Sequence, residues 1–193
     1  MKKQICIVDF DKTLIGIDSI FYILVGERLL LQPRILFWGV VLAITRLFVP
    51  FRKQFYIRRK LKFEILKTLH SVGTEKIFDI YAPLLAKHIN GRLADYLTGN
   101  YEKVRVVSSS WQPLIEAVLK YEGINDWIVF GTEYNEDFRK FDICWNVNKL
   151  KVVGEEGIKN FDLFTDSRED SPLIERAENC FIVNKNSLWK RLN

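Results

Sequence analysis

The chain has 193 residues, of which 48% are hydrophobic and 27% are charged, and its formal net charge is +5 at pH 7. This length and apolar content suffice for a buried core with a substantial insertion, and they exclude a disulfide-rich miniprotein and a disordered tail. The basic balance is compatible with nucleic acid, anionic lipid or a phosphorylated ligand, so its distribution along the chain has to decide.

A strand predicted over residues 4–10 opens the chain and runs directly into two carboxylates. Its residues are mainly apolar, and β-branched and aromatic types among them favour a strand. Asp9 and Asp11 stand one residue apart at its end, and Lys12 follows at once.

Residues 15–99 are predicted to be an almost wholly helical insertion. The helical pattern breaks at Gln32-Pro33, Pro50, Ser71–Thr74 and Asn90-Gly91. Within the insertion, residues 35–51 are apolar but too short and too interrupted for a simple membrane span, which needs about 18 apolar residues. Residues 52–62 follow with six cationic side chains and no acid. We expect 35–51 to be either the core of the insertion or an interfacial segment, and the basic run to be either a solvated face or a contact with an anionic membrane surface.

The remainder of the chain alternates between strand and helix. Further strands are predicted at 103–108, 127–132, 161–166 and 180–184, and helices at 111–123 and 171–179. Near-continuous apolar strands are typical of a sheet that is covered on both faces. The pattern predicts an α/β fold, a doubly wound Rossmann-like parallel sheet built from residues 1–14 and 100–193.

Cysteine use and the amino-terminal segment predict a cytoplasmic protein. Cys6, Cys144 and Cys180 are odd in number and widely spaced, which favours reduced thiols over disulfides. The chain begins with a basic lead, but aspartates interrupt the apolar run too early for a secretory signal. We therefore expect no export.

Polar residues also stand near the ends of the later strands. Ser108 ends the second predicted strand, Asp166 ends the fourth with Asp170 one helical turn later, and Lys149 begins the stretch that leads into the fourth. Because parallel strands end at one edge of a sheet, we expect these side chains to converge with the first pair of carboxylates. Such carboxylates repel one another unless a cation joins them, and hard oxygen ligands suit Mg²⁺. The constellation predicts magnesium-assisted phosphoryl transfer with one carboxylate as nucleophile.

These residues form an ordered set of motifs. "DFDKT", "VVSSS", Lys149 and "TDSRED" together resemble the four motifs of the haloacid dehalogenase superfamily of phosphatases. The insertion falls where the phosphoserine phosphatase-like branch of that family carries a helical cap, so the resemblance implies that 15–99 is a cap on a core of 1–14 and 100–193. More closely, "SSSWQPLIEAVL", "CWNVNK" and "DSREDSPLIERAE" resemble stretches of the phosphatidylglycerophosphatase C-like members.

The resemblance implies catalytic roles for four residues. Asp9 would be the nucleophile that forms an aspartyl phosphate, and Asp11 would protonate the leaving oxygen and then activate water. Ser108 would donate a hydrogen bond to the phosphoryl group, and Lys149 would hold it by charge. Lys151 lies close enough in sequence to compete for this role.

The resemblance also implies a metal site and a substrate site. Mg²⁺ would be bound by Asp9, Asp166 and the backbone carbonyl of Asp11, with Asp170 in support. The candidate substrate-binding residues are Thr13, Asp18, Ser109 and Ser110. Asp18 is equally compatible with a cap of the first helix of the insertion. In "CWNVNK", Asn146 stands where the related phosphatases usually have Gly.

Three functions remain open at this point. The first is a magnesium-dependent phosphatase of a membrane-derived phosphomonoester such as phosphatidylglycerophosphate, placed peripherally on the inner face of the membrane. The second is the same chemistry on a soluble metabolite such as phosphoserine or a sugar phosphate. The third is a non-catalytic phosphate-binding module, which the complete set of motifs argues against. A nucleic-acid partner is not expected, because the aromatic residues around the basic run resemble packing residues, not a base-stacking platform.

Overall fold

The computed structural model describes residues 2–184 and 189–192, and its strands form one sheet. The strands are β1 (Lys3–Val8), β2 (Tyr101–Trp111), β3 (Ile128–Thr132), β4 (Asp162–Thr165), β5 (Asn179–Val183) and β6 (Trp189–Arg191). Their order in the sheet is β3-β2-β1-β4-β5-β6. The first five pair in parallel, and β6 is antiparallel to β5. The α/β fold with a parallel central sheet is therefore confirmed.

Eight α-helices accompany the strands in the part of the chain that the structure describes. They are α1 (Ser19–Gly26), α2 (Pro33–Phe48), α3 (Phe55–Val72), α4 (Thr74–Ala86), α5 (Gly91–Asn100), α6 (Gln112–Tyr121), α7 (Val147–Glu155) and α8 (Ser171–Arg176). Helices α1 to α5 lie between β1 and β2 in the chain, and they are interrupted at the four predicted breaks. Helix α7 was not predicted, because its apolar pattern is weak.

A single hydrophobic cluster joins the sheet to the helical insertion. Val8 of β1 and Val106 of β2 belong to the same buried cluster as Leu66 of α3, Leu85 of α4 and Leu97 of α5. Helix α4 also packs against α6, the helix that follows β2. The insertion and the sheet thus share one apolar core, and the description of the insertion as a separate cap domain stays a prediction.

Two element ends differ from the sequence prediction by three residues, and one strand was not predicted. Ser108 does not end the second strand, because β2 continues to Trp111 with a shift of register between Val107 and Trp111. Helix α8 ends at Arg176, where Ala177 turns extended, before the predicted end at residue 179. The strand β6 was missed because three residues are too few for a period-2 pattern. Cys6, Cys144 and Cys180 are all buried, and none of them forms a disulfide.

The basic run was predicted to be either a solvated face or a contact with a membrane surface, and at three positions of α3 both predictions are wrong. The side chains of Arg58, Arg59 and Lys60 are only 16%, 19% and 22% exposed. Arg59 donates hydrogen bonds to the carbonyls of Phe138 and Phe141, which follow β3 in the chain. These cations therefore fix the insertion to the core. Among the described residues, no helix combines the length and apolarity that a membrane crossing requires.

Candidate active site

The loop after β1 presents two carboxylates on one side of the chain. The backbone N–H of Asp9 donates to the carbonyl of Phe164 at 2.9 Å, which carries the parallel pairing with β4 one residue past the strand. Asp9 and Asp11 line the same cavity, while Phe10 between them is buried in the core. Lys12 then adopts a left-handed φ of 61° and turns the chain away.

A buried lysine on α7 joins the first and last motifs. The Nζ of Lys149 lies 3.1 Å from Oδ1 of Asp9 and 2.9 Å from Oδ1 of Asp170. Thr165, the last residue of β4, donates its hydroxyl to Oδ2 of Asp170 at 2.8 Å and so orients that carboxylate. Lys151 is exposed and pairs with another residue of its own helix. The structure thus places Lys149, not Lys151, beside the predicted nucleophile.

Asp9, Asp11, Asp166 and Asp170 lie around the one lysine Lys149, and we call these four residues the acidic cluster. Their negative charge exceeds what the ammonium group of Lys149 balances. Burial, opposed by Lys149 and assisted by Asp170, Asp166 and Asp11, raises the pKa of Asp9 to about 7 in all. Burial raises the pKa of Asp166 as well. The pKa of Lys149 lies above its ordinary value in spite of burial, because Asp170 and Asp9 stabilise the ammonium. Such a cluster has the capacity to bind further positive charge.

The second carboxylate of the first motif is held by the start of α1. The backbone N–H of Ser19 donates to Oδ1 of Asp11 at 2.9 Å. Burial and the charge of Asp18, opposed by Ser19 and Lys62, together raise the pKa of Asp11 to about 6. A carboxyl group titrating near neutrality is suited to exchange protons with a substrate.

These side chains share one cavity of about 270 Å³ at the carboxyl edge of the sheet. Asp9, Asp11, Lys149, Asp166 and Asp170 all line it. The convergence predicted from the strand ends is therefore present in the structure.

Of the three serines of β2 predicted at the site, Ser109 lines the cavity and Ser108 and Ser110 do not. Ser109 lines the cavity, and the hydroxyl of Thr132 holds its carbonyl at 2.8 Å. Ser108 is buried, and its Oγ accepts from the N–H of Ser110 at 3.2 Å. The Oγ of Ser110 lies 2.7 Å from that of Ser19. The register shift after Val107 thus turns Ser109 toward the cavity in the place predicted for Ser108.

Thr13 and Asp18, two further candidates for substrate binding, differ in whether they line the cavity. Thr13 is buried, its hydroxyl has no hydrogen-bond partner in the structure, and it does not line the cavity. The substrate contact predicted for Thr13 is therefore wrong in this arrangement. Asp18 caps α1 by accepting from the N–H of Phe21 at 3.0 Å, and it also lines the cavity. Asp18 is thus a helix cap, and its contact with a substrate stays a prediction.

A second cavity of about 380 Å³ adjoins the first and contains cations that sequence reasoning missed. Arg46 of α2 and Arg58 of α3 line both cavities, and Lys62 lines the second. The Arg58 guanidinium lies 5.0 Å from the ring centroid of Trp145 and 3.8 Å from Glu169. The four-residue spacing of Arg58 and Lys62 was the available signal, since it places both on one helix face.

The walls of the second cavity are otherwise largely apolar. Leu24, Leu42, Leu61, Ile65 and Ile143 contribute to them. The cavity thus offers a substrate both apolar contact and positive charge next to the acidic cluster.

The residues of the acidic cluster fit Mg²⁺ by their chemistry. Within the described residues, no three acidic, histidine or cysteine side chains form a ready-made cage for a metal ion. Mg²⁺ does not need one, because it is usually held by one or two carboxylates together with waters and a substrate phosphate. Asp9 and Asp166 supply two carboxylates whose raised pKa values show a shortage of positive charge.

The family assignment follows from the fold and the sequence together. A family model of haloacid dehalogenase-like hydrolases matches residues 6–175, and the chain belongs to this family. That range includes every motif of the site. The protein is therefore a haloacid dehalogenase-like hydrolase with an α/β fold.

Solved structures of similar fold include three of particular interest. A phosphoserine phosphohydrolase-like protein from Francisella tularensis subsp. tularensis SCHU S4 is 20% identical, with a TM-score of 0.53 over 92% of this chain and 85% of its own. A protein of unknown function from Bordetella pertussis Tohama I is 14% identical, with a TM-score of 0.60 over 91% and 87%. A phospho-aspartyl intermediate analogue of phosphoserine phosphatase is 17% identical, with a TM-score of 0.50 over 93% and 86%. No curated protein matches the chain.

Proposed function

We propose that the protein is a magnesium-dependent phosphomonoester hydrolase that works through an aspartyl phosphate on Asp9. The observation that carries this proposal is the contact of 3.1 Å between Asp9 and the buried Lys149, in a cavity that Asp11 also lines. The ammonium holds the carboxylate in place and adds positive charge where phosphoryl oxygens would lie.

The reaction has two balanced steps. A carboxylate oxygen of Asp9 attacks phosphorus, the bond to the ester oxygen breaks, and the carboxyl group of Asp11 gives its proton to the departing alkoxide. The Asp11 carboxylate then takes a proton from water as that water attacks phosphorus, and the bond to Asp9 breaks to release phosphate. Ser109 and Lys149, which line the same cavity, would contact the phosphoryl oxygens in both steps.

The proposal assigns the metal to the acidic cluster. Asp9, Asp166 and the carbonyl of Asp11 would hold Mg²⁺, and Asp170 would support it through its contact with Lys149. The bound ion would neutralise charge on the phosphoryl group.

Metal removal tests this assignment. EDTA should stop turnover, and Mg²⁺ should restore it better than Ca²⁺, which prefers a larger and looser coordination shell. Asp166→Ala should reproduce the effect of EDTA, while Asp162→Ala, at the opposite edge of the sheet, should retain its response to Mg²⁺. Full activity after exhaustive metal removal would contradict the proposal.

We propose a lipid phosphate such as phosphatidylglycerophosphate as the substrate. The second cavity supports this choice, because its leucine and isoleucine walls suit an apolar part and Arg46, Arg58 and Lys62 suit an additional anionic group. A substrate of this kind would also place the enzyme peripherally at the inner face of a membrane.

A soluble phosphomonoester is the second candidate. The two phosphoserine phosphatase-like structures favour it, because their fold extends over more than nine-tenths of this chain. Phosphoserine and sugar phosphates are therefore the competing substrates.

A turnover screen separates the candidates. Purified protein is assayed for phosphate release from phosphatidylglycerophosphate in detergent, phosphoserine and a sugar phosphate, with Asp9→Asn as the blank. Arg58→Met should raise KM for the lipid more than for p-nitrophenyl phosphate, which has no second anion. Binding of phosphate without turnover of any ester would contradict the proposal and support a non-catalytic phosphate-binding module instead.

A further inference from the structure

The outward side of α2 is apolar along its whole length. Six of its side chains are between 48% and 79% exposed; they are Leu36, Phe37, Val40, Ile44, Leu47 and Phe48, and we call them the outer face of α2. At 100° per residue they fall within an arc of about 120°, which is the width of a stripe that normally faces a protein core.

The opposite side of α2 is the side that contacts the protein. Ile35 is its fully buried residue, and Leu42 lines the second cavity. Both positions lie roughly opposite the outer face on the helix. The side of α2 that carries Ile35 and Leu42 therefore packs against the protein. The outer face is a second apolar side of the same helix, and it remains exposed.

Positive charge surrounds this exposed helix. Residues 28–63 contain nine Lys and Arg side chains and no Asp or Glu. Some of these cations are used by the fold, as described for α3, but Arg28, Arg34 and Lys53 are exposed. Arg34 is 73% exposed and has only a loose contact of 3.9 Å with Glu64.

The charge decides between two occupants of the outer face. In a symmetric dimer the same patch lies on both subunits, so cations would face cations without an acid to pair them. An anionic lipid surface offers the opposite charge to every one of them, together with an apolar layer for Phe37, Leu47 and Phe48.

We propose that the outer face of α2 docks onto an anionic lipid bilayer. The apolar side chains enter the boundary between headgroups and acyl chains, and Arg28, Arg34 and Lys53 contact the headgroup phosphates. The docking proposal adds a lipid surface as a partner. It rests on the proposed function only for the link to a lipid substrate, because docking itself requires no turnover.

The docked orientation would bring the second cavity close to the bilayer. Leu42 and Arg46 on α2 line that cavity, as does Phe21 of α1, which is 56% exposed. One helix thus has its outer face toward lipid and its inner side toward the substrate. A lipid phosphate could reach Asp9 without leaving the membrane surface.

Vesicle sedimentation tests the apolar part of the proposal. The full chain is spun with vesicles of phosphatidylcholine and with vesicles of equal parts phosphatidylcholine and phosphatidylglycerol. We expect binding to the mixed vesicles, and we expect Leu47→Ser combined with Phe48→Ser to weaken it by about tenfold or more. Tyr121→Ser, which removes an equally exposed aromatic ring from α6, is the matched control and should bind like the wild type.

The charged part has its own matched pair of variants. Replacing Arg28, Arg34 and Lys53 by Gln should weaken binding by about fivefold for each cation, and added salt should reduce the difference. Lys103→Gln combined with Lys120→Gln removes exposed cations outside the segment and should have no such effect. Binding that ignores lipid charge, or no binding at all, would overturn the proposal.

Two further measurements separate this proposal from its alternatives. A concentration-dependent dimer that Leu47→Ser dissociates would show that a second copy covers the outer face, and would overturn the lipid assignment. Asp9→Asn should bind vesicles like the wild type, and the outer-face variants should keep full turnover of p-nitrophenyl phosphate. Loss of catalysis with intact docking, or the reverse, therefore identifies which proposal has failed.

Discussion

Asp162 is the first residue of β4 and Asp166 directly follows its last, so one short strand carries a carboxylate at each edge of the sheet. At the amino edge, burial alone would raise the pKa of Asp162, but hydrogen bonds from Lys3, Tyr101 and Asn179 bring it below its ordinary value. At the carboxyl edge, burial and neighbouring acids raise the pKa of Asp166.

The difference lies in how many donors each carboxylate receives. Lys3 and the Tyr101 hydroxyl both contact Oδ2 of Asp162 at 2.6 Å, and Asn179 donates to its other oxygen. The first residues of β1, β2 and β5 are thereby tied to the first residue of β4. At the carboxyl edge, Asp9 and Asp170 instead share one ammonium group, that of Lys149. The negative charge that remains uncompensated is available to bind a metal ion.

The same substitution at the two edges should separate catalysis from stability. Asp9→Asn should lower turnover by about 10⁴-fold or more, because an amide oxygen cannot form the acyl phosphate. Asp162→Asn should leave kcat unchanged and lower the free energy of unfolding by about 2 kcal/mol, through weaker hydrogen bonds to a neutral acceptor. Steady-state kinetics and urea unfolding measure the two effects. Near-normal turnover of Asp9→Asn would refute the role of Asp9 as nucleophile.

The lysine at the carboxyl edge should matter for both properties. Lys149→Met leaves Asp9 and Asp170 buried without their ammonium, so we expect a loss of about 3–5 kcal/mol in stability together with loss of turnover. Lys151→Met removes only an exposed pair with Glu155 at 3.8 Å and should change stability by less than about 0.5 kcal/mol. Equal effects of the two substitutions would show that the assignment of the lysine is wrong.

The pH dependence of stability should have opposite signs at the two edges. The folded pKa of Asp162 is below its unfolded value of about 3.9, so its stabilising effect is present above that pH and is lost as the pH falls. The folded pKa of Asp9, about 7, is above its unfolded value. Its favourable contribution is therefore complete below about pH 4 and is lost as the pH rises through 7.

Thermal melting in EDTA tests this opposition. As the pH rises from about 4 to 7, the Tm of Asp9→Asn should increase relative to the wild type, because the variant has no carboxylate to ionise. The Tm of Asp162→Asn should fall behind the wild type as the pH rises from below 4, as the wild-type carboxylate ionises. Parallel pH profiles for the two variants would contradict the comparison.

The carboxyl edge was largely predictable from the sequence and the amino edge was not. Asp9, Asp11 and Asp166 each follow an apolar run, and parallel pairing alone brings such positions together. The grouping of Lys3 and Tyr101 around Asp162 depends on strand register, which no local pattern specifies.

Two errors in the site arose because the contacts that decide them join residues far apart in the chain. A shift of register after Val107 decided that Ser109, not Ser108, lines the cavity, and a short motif does not reveal such a shift. The basic run of α3 was predicted as a solvated or membrane-facing surface because its acceptors lie about 80 residues away in the chain. The presence of Arg58 and Lys62 in the site was missed for the same reason.

The smallest effect is expected in the loop that carries Lys149 into the site. Asn146 has φ 53° and ψ −114°, a backbone conformation that favours glycine, and its Nδ2 donates to the carbonyl of Glu169 at 2.8 Å. Asn146→Gly should relieve strain of about 1 kcal/mol but lose that hydrogen bond and gain flexibility in the unfolded chain, so we expect stability within about 1 kcal/mol of the wild type. Asn146→Ala keeps the strain and loses the bond, so it should be less stable than Asn146→Gly in urea unfolding. If alanine were the more stable replacement, the strain inferred at Asn146 would be absent, and the position of Lys149 would rest on its ion pairs with Asp9 and Asp170 alone.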